Sequence, residues 1–270
     1  MMSSDSDREA TSTPAWRLPE GVDAPLWQYA HEPRLADDED AYFEGHPLFE
    51  TDARLLAEWF AAPADVIDLG CGAGRHAVAF ARRGCRVAAV DLSRALLAKV
   101  GQKAAAERLD IRLIHAGLCD LGAIADSSFD VALLMFSTLG MVRGAAARRR
   151  VLAEAARVLR PGGRLAIHAH NLWLNARNPA GLRWLLVEIP RILARRPEAA
   201  DRRMTYRGIP NLAVHLYRFP ELRRELHAAG FVIEHVEPIH EATAATIPLP
   251  RLLPSLRAGG WIIRARKKAT

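Results

Sequence analysis

The apolar positions change period several times along the middle of the chain. Short continuous runs, "DVIDL" (Asp65 to Leu69), "CRVAAVD" (Cys85 to Asp91), "IRLIHA" (Ile111 to Ala116) and "FDVALLMF" (Phe129 to Phe136), have the length and composition of buried strands. Between them the spacing is helical. "GRHAVAFARRG" closes on Gly84, the residue type that most readily takes the left-handed turn after a helix, and Ser93 stands as N-cap before Leu96, Leu97 and Val100. Val151, Leu152, Ala155, Val158 and Leu159 mark one face of a later helix, and "RPGGRLAIHAH" follows as a turn and a fifth strand. Strands separated by single helices pair in parallel through crossovers. These residues therefore predict an α/β, doubly wound, mostly parallel sheet with helices on both faces.

The flanks follow other patterns. Residues 1–24 are polar without an apolar period and predict a disordered tail. Residues 25–62 read as an N-terminal cover, in which Trp27, Tyr29, Tyr42 and Phe43 stand among acids and "TDARLLAEWF" predicts a helix capped by Thr51 or Asp52. After the core at 63–170, residues 171–212 are too long for an ordinary strand-helix connection. They predict a helical insertion with Leu182, Leu185, Leu186, Ile189 and Leu193 on one face and a kink at Pro190. Residues 213–270 supply a helix opening near Pro220, the strand "FVIEHVEPI" and an antiparallel last strand in "GGWIIRARKK". Residues 25–270 thus read as one domain.

Composition narrows the class. With 270 residues, half of them hydrophobic, the chain can bury a full core. It shows neither a long uninterrupted apolar run nor the basic-then-apolar order of a secretory leader, and it reads as cytoplasmic. Cys71, Cys85 and Cys119 have no CxxC spacing, which points away from a zinc site or a disulfide framework. The formal charge of +6 admits a nucleic-acid partner. Lysine, however, occurs only at Lys99, Lys103, Lys267 and Lys268, so the surplus is an arginine bias that a GC-rich coding sequence produces without selection for a partner, and a nucleic-acid role is not favoured.

The candidate chemistry lies in "VIDLGCGAGRH", Val66 to His76. A glycine-rich turn between a strand and a helix bares backbone N–H groups to a ligand, and Gly70, Gly72 and Gly74 permit close approach. A dinucleotide needs G-x-G-x-x-G; here the third glycine comes one residue early, and Asp68 would repel a diphosphate while suiting an ammonium group. Asp91, ending the second strand, can accept both hydroxyls of a ribose. The blander alternatives are that Asp68 caps a helix and that Asp91 begins the turn before Ser93.

With "DLGCGAGR", Asp91, "SFD" before the fourth strand and "LRPGG" before the fifth, residues 64–170 resemble the class I S-adenosylmethionine-dependent methyltransferases of the small-molecule branch. The resemblance implies a Rossmann-like methyltransferase fold with S-adenosylmethionine as cofactor. It places Asp68, Gly70, Cys71, Gly72 and Gly74 at the methionine end, Asp91 at the ribose and Leu92 beside the adenine. Where the family often carries an acid for the adenine amino group, this chain has Gly117, so Leu118 and Cys119 are expected to offer backbone contacts, with Asp120 as a substitute. Cys71 is a small packed side chain here, since transfer from a sulfonium needs no covalent enzyme intermediate.

Ligands of open parallel sheets sit at the carboxyl ends of the strands, which here read "MFSTLGM" and "HAHNLW". Phe136, Ser137 and Thr138 are expected along the methyl channel. His170 is the candidate general base, or else a hydrogen-bonding or shape-setting residue for the acceptor, while His168 is expected to be packed. Arg75 and His76 either hold the cofactor carboxylate or fill the helix surface. The insertion is read as a lid over the site, as ordinary packing, or, with Arg183, Arg191, Arg195 and Arg196 flanking its apolar face, as a membrane-surface contact through 182–196. The leading function is methyl transfer to an O, N or C nucleophile of a small molecule. A tRNA or RNA methyltransferase and a non-catalytic cofactor-binding scaffold remain as alternatives, and a dehydrogenase is disfavoured by the glycine spacing.

Overall fold

The computed structural model describes residues 17–250 and 252–269. Its strands are β1 (Asp65–Leu69), β2 (Arg86–Asp91), β3 (Ile111–His115), β4 (Phe129–Leu134), β5 (Leu159–His170), β6 (Asp201–Tyr206), β7 (Ile209–His215), β8 (Phe231–Ile239) and β9 (Gly260–Lys267). Seven form one sheet in the order β3-β2-β1-β4-β5-β9-β8. The pairs from β3 to β5 are parallel, and β9 runs antiparallel between β5 and β8, as expected for the last strand.

The helices are α1 (Ala24–His31), α2 (Pro33–Asp37), α3 (Glu39–Tyr42), α4 (Pro47–Trp59), α5 (Arg75–Arg82), α6 (Arg94–Glu107), α7 (Thr138–Met141), α8 (Ala145–Val158), α9 (Pro179–Leu193), α10 (Phe219–Ala228) and α11 (Pro254–Arg257), with a 3-10 helix, η1, at Leu172–Arg177. Alternation along the strands sends side chains to two cores. Ile67, Val90, Leu134 and Ile167 meet Val151 and Leu152 of α8 and Leu222 of α10; Val66, Leu133 and Ala166 meet Leu55 and Leu56 of α4, Phe80 of α5 and Val100 of α6.

The flanks depart from the sequence pattern in three places. Helix α4 starts at Pro47, not at Thr51 or Asp52: the imidazole of His46 accepts the N–H of Leu48, and Asp52 is wholly buried one turn further on, beside Arg75. The polar tail ends earlier than residue 24. Residues 1–16 lie outside the described set, whereas Gly21, with a φ of +77°, packs so closely on Val142, Ala147 and Cys119 that a Cβ there would overlap them.

The helical insertion is also longer than 171–212 and not wholly helical. Helix α9 runs through Pro190 to Leu193, and β6 and β7 then form a separate antiparallel hairpin joined by Arg207 and Gly208, both in the left-handed region, as a two-residue hairpin turn demands. Helix α9 also divides the stripe read as one face. Leu185 and Ile189 pack inward on Leu172 and Leu216, while Leu182, Leu186 and Leu193 point to solvent.

Candidate active site

A cavity of about 860 Å³ opens at the carboxyl ends of β1, β2 and β4, the place where doubly wound sheets bind ligands. Asp68, Gly70, Cys71, Gly72, Gly74, Asp91, Leu92, Leu118, Cys119 and Phe136, the residues expected at the cofactor, all line it.

The floor is the glycine turn. The N–H groups of Gly70 and Cys71 both donate to the carbonyl of Val90, at 2.8 and 3.0 Å, which stitches the turn to the end of β2. Asp91 reaches back: one carboxylate oxygen accepts the N–H of Gly72 at 2.8 Å and the other accepts that of Ser93 at 2.8 Å. It thus starts the turn before Ser93 and shapes the glycine turn as well, and its oxygens retain lone pairs for a ligand. Burial raises its pKa.

Asp68, on β1, is 2% exposed and accepts the N–H of Ala77 in the first turn of α5 at 3.1 Å, so its capping role is real. Burial pushes its pKa up to about 6 against the opposing influence of His76 and Arg75. The glycines serve packing more than ligand approach. A Cβ on Gly70 (φ +76°) would stand 2.5 Å from the Thr138 methyl, and one on Gly74 (φ +82°) 2.8 Å from Val100; only Gly72 leaves open space, with Glu39 3.5 Å away.

At the adenine end, Gly117, Leu118 and Cys119 line the cavity, but Asp120 does not substitute for the missing acid. Its side chain is exposed and turned to the N–H of Gly122. The Cys119 thiol points at the carbonyl of Ala147, and burial lifts its pKa to about 11; burial likewise holds the Cys71 thiol well above its ordinary value, so both remain protonated.

Arg75 and His76 both line the cavity and both turn to Asp52. Arg75 makes a two-pronged pair with Asp52 at 2.5 and 2.8 Å and covers the ring of Phe49, while His76 Nε2 lies 3.3 Å from the same carboxylate. Although burial opposes it, His76 and Arg75 keep Asp52 below the usual carboxylate range.

The roof comes from the N-terminal cover. Tyr29 and Phe43 line the cavity, whereas Trp27 stacks on His31 and Tyr42 is largely exposed. Phe136, at the end of β4, is held edge-on by Phe43, Phe49 and His46 at ring distances of 5.1–5.5 Å. It and Ser137 both have left-handed backbones, strain of the kind that collects at binding sites.

Sequence reasoning passed over Glu39, which lines the cavity opposite Gly72, and over Arg207, whose guanidinium binds Asp38, Glu39 and, at 3.1 Å, the carbonyl of Leu35. Glu39 stood in an acidic run that resembled a solvated surface. Its one distinguishing signal was the aromatic residues around it.

The expected lid and base are placed elsewhere. Among the described residues none from 171–217 lines the cavity; the insertion stands behind its walls, with β7 packed on α1 and α7, Arg207 paired with Asp38 and Glu39, and the Tyr206 ring 5.9 Å from Tyr29. His170 is also outside the lining. Its ring lies 4.9 Å from that of His168, and burial, followed by the nearby His46, drives its pKa down to about 4, so it is neutral at pH 7 and a weak base. His168 is packed, as expected, with both ring nitrogens unpartnered.

Residues 66–163 match the family model described as a methyltransferase domain. A demethylmenaquinone methyltransferase of Clavibacter sepedonicus is 35% identical over 102 residues, 38% of this chain and 39% of that protein. A ubiquinone/menaquinone biosynthesis C-methyltransferase of Dinoroseobacter shibae is 38% identical over 117 residues, 42% and 45% of the two chains. The chain thus spans under half the length of these curated relatives.

Among solved structures, a 1,6-didemethyltoxoflavin-N1-methyltransferase of Burkholderia thailandensis, bound to 1,6-didemethyltoxoflavin and S-adenosylhomocysteine, superposes with a TM-score of 0.59 at 20% identity, covering 93% of each chain. A methyltransferase of Methanosarcina mazei gives 0.62 at 19% identity over 80% of this chain and 98% of that one. At such identities the likeness is one of fold. Residues 66–163 thus match a methyltransferase domain, and the chain shares the fold of these S-adenosylmethionine-dependent methyltransferases.

Proposed function

We propose that the protein transfers a methyl group from S-adenosylmethionine to an O, N or C nucleophile of a small molecule. The observation that carries this reading is Asp91, a half-buried carboxylate with one oxygen fastened to the glycine turn at Gly72 and the other to Ser93, facing a cavity large enough for a cofactor and an acceptor together. Asp91 would bind the ribose hydroxyls, Asp68 the ammonium group, Leu92 the adenine face, and the backbone at Leu118 and Cys119 the adenine edge. The cofactor supplies a methyl already activated on a sulfonium. What the chain adds is alignment of the acceptor in a site closed to water.

The acceptor side is walled by Tyr29, Phe43, Phe49 and Phe136, which suits a flat, largely apolar molecule. Among the proteins similar to this chain are a ubiquinone/menaquinone biosynthesis C-methyltransferase and a 1,6-didemethyltoxoflavin-N1-methyltransferase, which supports a small-molecule acceptor. The positive charge of the chain does not favour RNA. Arg143, Arg148, Arg157, Arg160 and Arg207 are all spent in ion pairs with carboxylates of the protein itself.

Isothermal titration with S-adenosylhomocysteine tests the reading. Micromolar binding is expected, weakened by about a hundredfold in Asp91→Ala, since that change strips a ligand contact and orphans two backbone donors. Binding of NADH in preference, or S-adenosylhomocysteine affinity indifferent to Asp91→Ala, would overturn it.

A further inference from the structure

Helix α9 is apolar on both sides, and only one side is used. Its inner face, Leu185, Ile189 and Ile192 with Trp184, packs on Leu172 and Leu216. On the outer face Leu182, Leu186, Val187 and Leu193 are 48, 74, 62 and 75% exposed, with the exposed Pro190 between them. Four large aliphatic side chains on one helix face form a contiguous patch of the kind that marks an interaction site.

A second exposed set, Leu249, Leu252, Leu253 and Leu256, lies on the segment just before β9. That segment is pinned beside the start of η1, where the Asn171 side chain donates to the carbonyls of Ser255 and Ala258 at 2.9 and 2.7 Å. Both leucine-bearing segments therefore hang from the same short helix.

Charge decides what the α9 face fits. Arg183, Arg195 and Arg196 are exposed and make no ion pair among the described residues. The sole acid of the helix, Glu188, is buried and spent on Arg191 and the N–H of Ala200. A symmetric contact with a second copy would set these arginines against their own counterparts with no exposed acid on the helix to pair them. A lipid surface rich in anionic headgroups meets both features at once, with leucines entering the acyl boundary and guanidinium groups holding phosphates.

We infer that α9 docks the protein on anionic membranes, lying in the plane of the interface with its outer face down. No helix among the described residues is long and apolar enough to cross a bilayer, so the contact is peripheral. It does not depend on the identity of the acceptor.

Co-sedimentation of the full chain with large vesicles tests this, using phosphatidylcholine alone and phosphatidylcholine mixed with phosphatidylglycerol. Binding is expected to the mixed vesicles and not to the neutral ones at low lipid, declining as salt is raised. Leu186→Glu with Leu193→Glu should weaken it at least tenfold, and each of Arg183→Gln, Arg195→Gln and Arg196→Gln by about fivefold. Unchanged circular dichroism and S-adenosylhomocysteine titration show that these variants are folded. Leu113→Glu, at an exposed leucine on the far edge strand β3, serves as a control that should bind normally.

Failure of the wild-type chain to bind phosphatidylglycerol vesicles would overturn the inference, as would equal loss in the β3 control. A dimer in sedimentation velocity that Leu186→Glu with Leu193→Glu converts to monomer would assign the face to a second copy instead.

Discussion

The floor and the roof of the cavity are built from different interactions. The floor is backbone held by backbone and by buried carboxylates: Gly70 and Cys71 on Val90, Gly72 and Ser93 on Asp91, Ala77 on Asp68. Each of these bonds is short-range and shielded from salt. The roof is side chain on side chain across loops and short helices: Arg207 on Asp38 and Glu39, Lys99 on Asp37, Lys103 on Asp40, with aromatic rings between. Lys103 also touches the floor, donating to the carbonyl of Ala73 at 2.9 Å. A rigid floor fixes where a ligand lies; a roof held by side-chain ion pairs, those of Lys99 and Lys103 partly exposed, can part to admit it and close again.

Breaking the floor should have the largest effect. Gly70→Ala forces a side chain into a left-handed backbone and against the Thr138 methyl, so unfolding in urea should show a loss of about 2–4 kcal/mol. Adding Thr138→Ser removes that methyl and keeps the hydroxyl that donates to the Met135 carbonyl. It should recover about half of the loss, because the 2.5 Å overlap with the methyl goes while the hydroxyl stays 3.1 Å away and the backbone strain remains. A Gly70→Ala protein as stable as the parent would mean that the turn is not the rigid element described.

The same contrast explains what could be read without coordinates. Asp68 and Asp91 are legible because their chemistry is local: one is the penultimate and the other the last residue of a strand whose apolar run is visible, beside glycines that only a tight turn requires. Glu39 and Arg207 are 168 residues apart, and nothing in either neighbourhood names the other. His46 escaped notice because imidazole is not among the usual N-capping groups. In α9 apolar residues occupy both faces, so a search for one stripe merged an inner and an outer set. The hairpin of β6 and β7 was hidden by charge: three arginines lie within "DRRMTYRG", where solvent covers what would be an apolar face in a core strand.

A gentler probe of the floor is pH. Because burial places the Asp68 pKa at about 6, above its ordinary value, folding favours the protonated acid, and the free protein loses stability from this group as pH climbs from about 4 through 6. A ligand ammonium needs the ionised form. Affinity for S-adenosylhomocysteine should therefore rise about tenfold between pH 5 and pH 7, the change in ionised fraction for a group titrating near 6. In Asp68→Asn the rise should vanish, with binding weak throughout. A rise of the same size in that variant would move the titration to Asp91, whose pKa burial also raises.

The roof should yield the smallest change and the most informative one. Arg207 is almost wholly enclosed by its partners, and its removal leaves Glu39 without its cation over the glycine turn while freeing the tip of the hairpin from α2 and α3. Arg207→Ala should weaken S-adenosylhomocysteine binding only about threefold, in keeping with an ion pair that closes over the ligand without itself holding it. Limited proteolysis between residues 38 and 46 should accelerate, and bound S-adenosylhomocysteine should slow it again. Arg207→Lys should restore little, because one ammonium cannot reach the Leu35 carbonyl and both carboxylates in the planar fork that arginine presents. If cleavage and affinity are both unmoved in Arg207→Ala, the insertion is merely adjacent to the cover. If cleavage alone rises, the hairpin steadies a roof that the ligand does not need, and residues 171–217 owe their place to stability and to the outer face of α9.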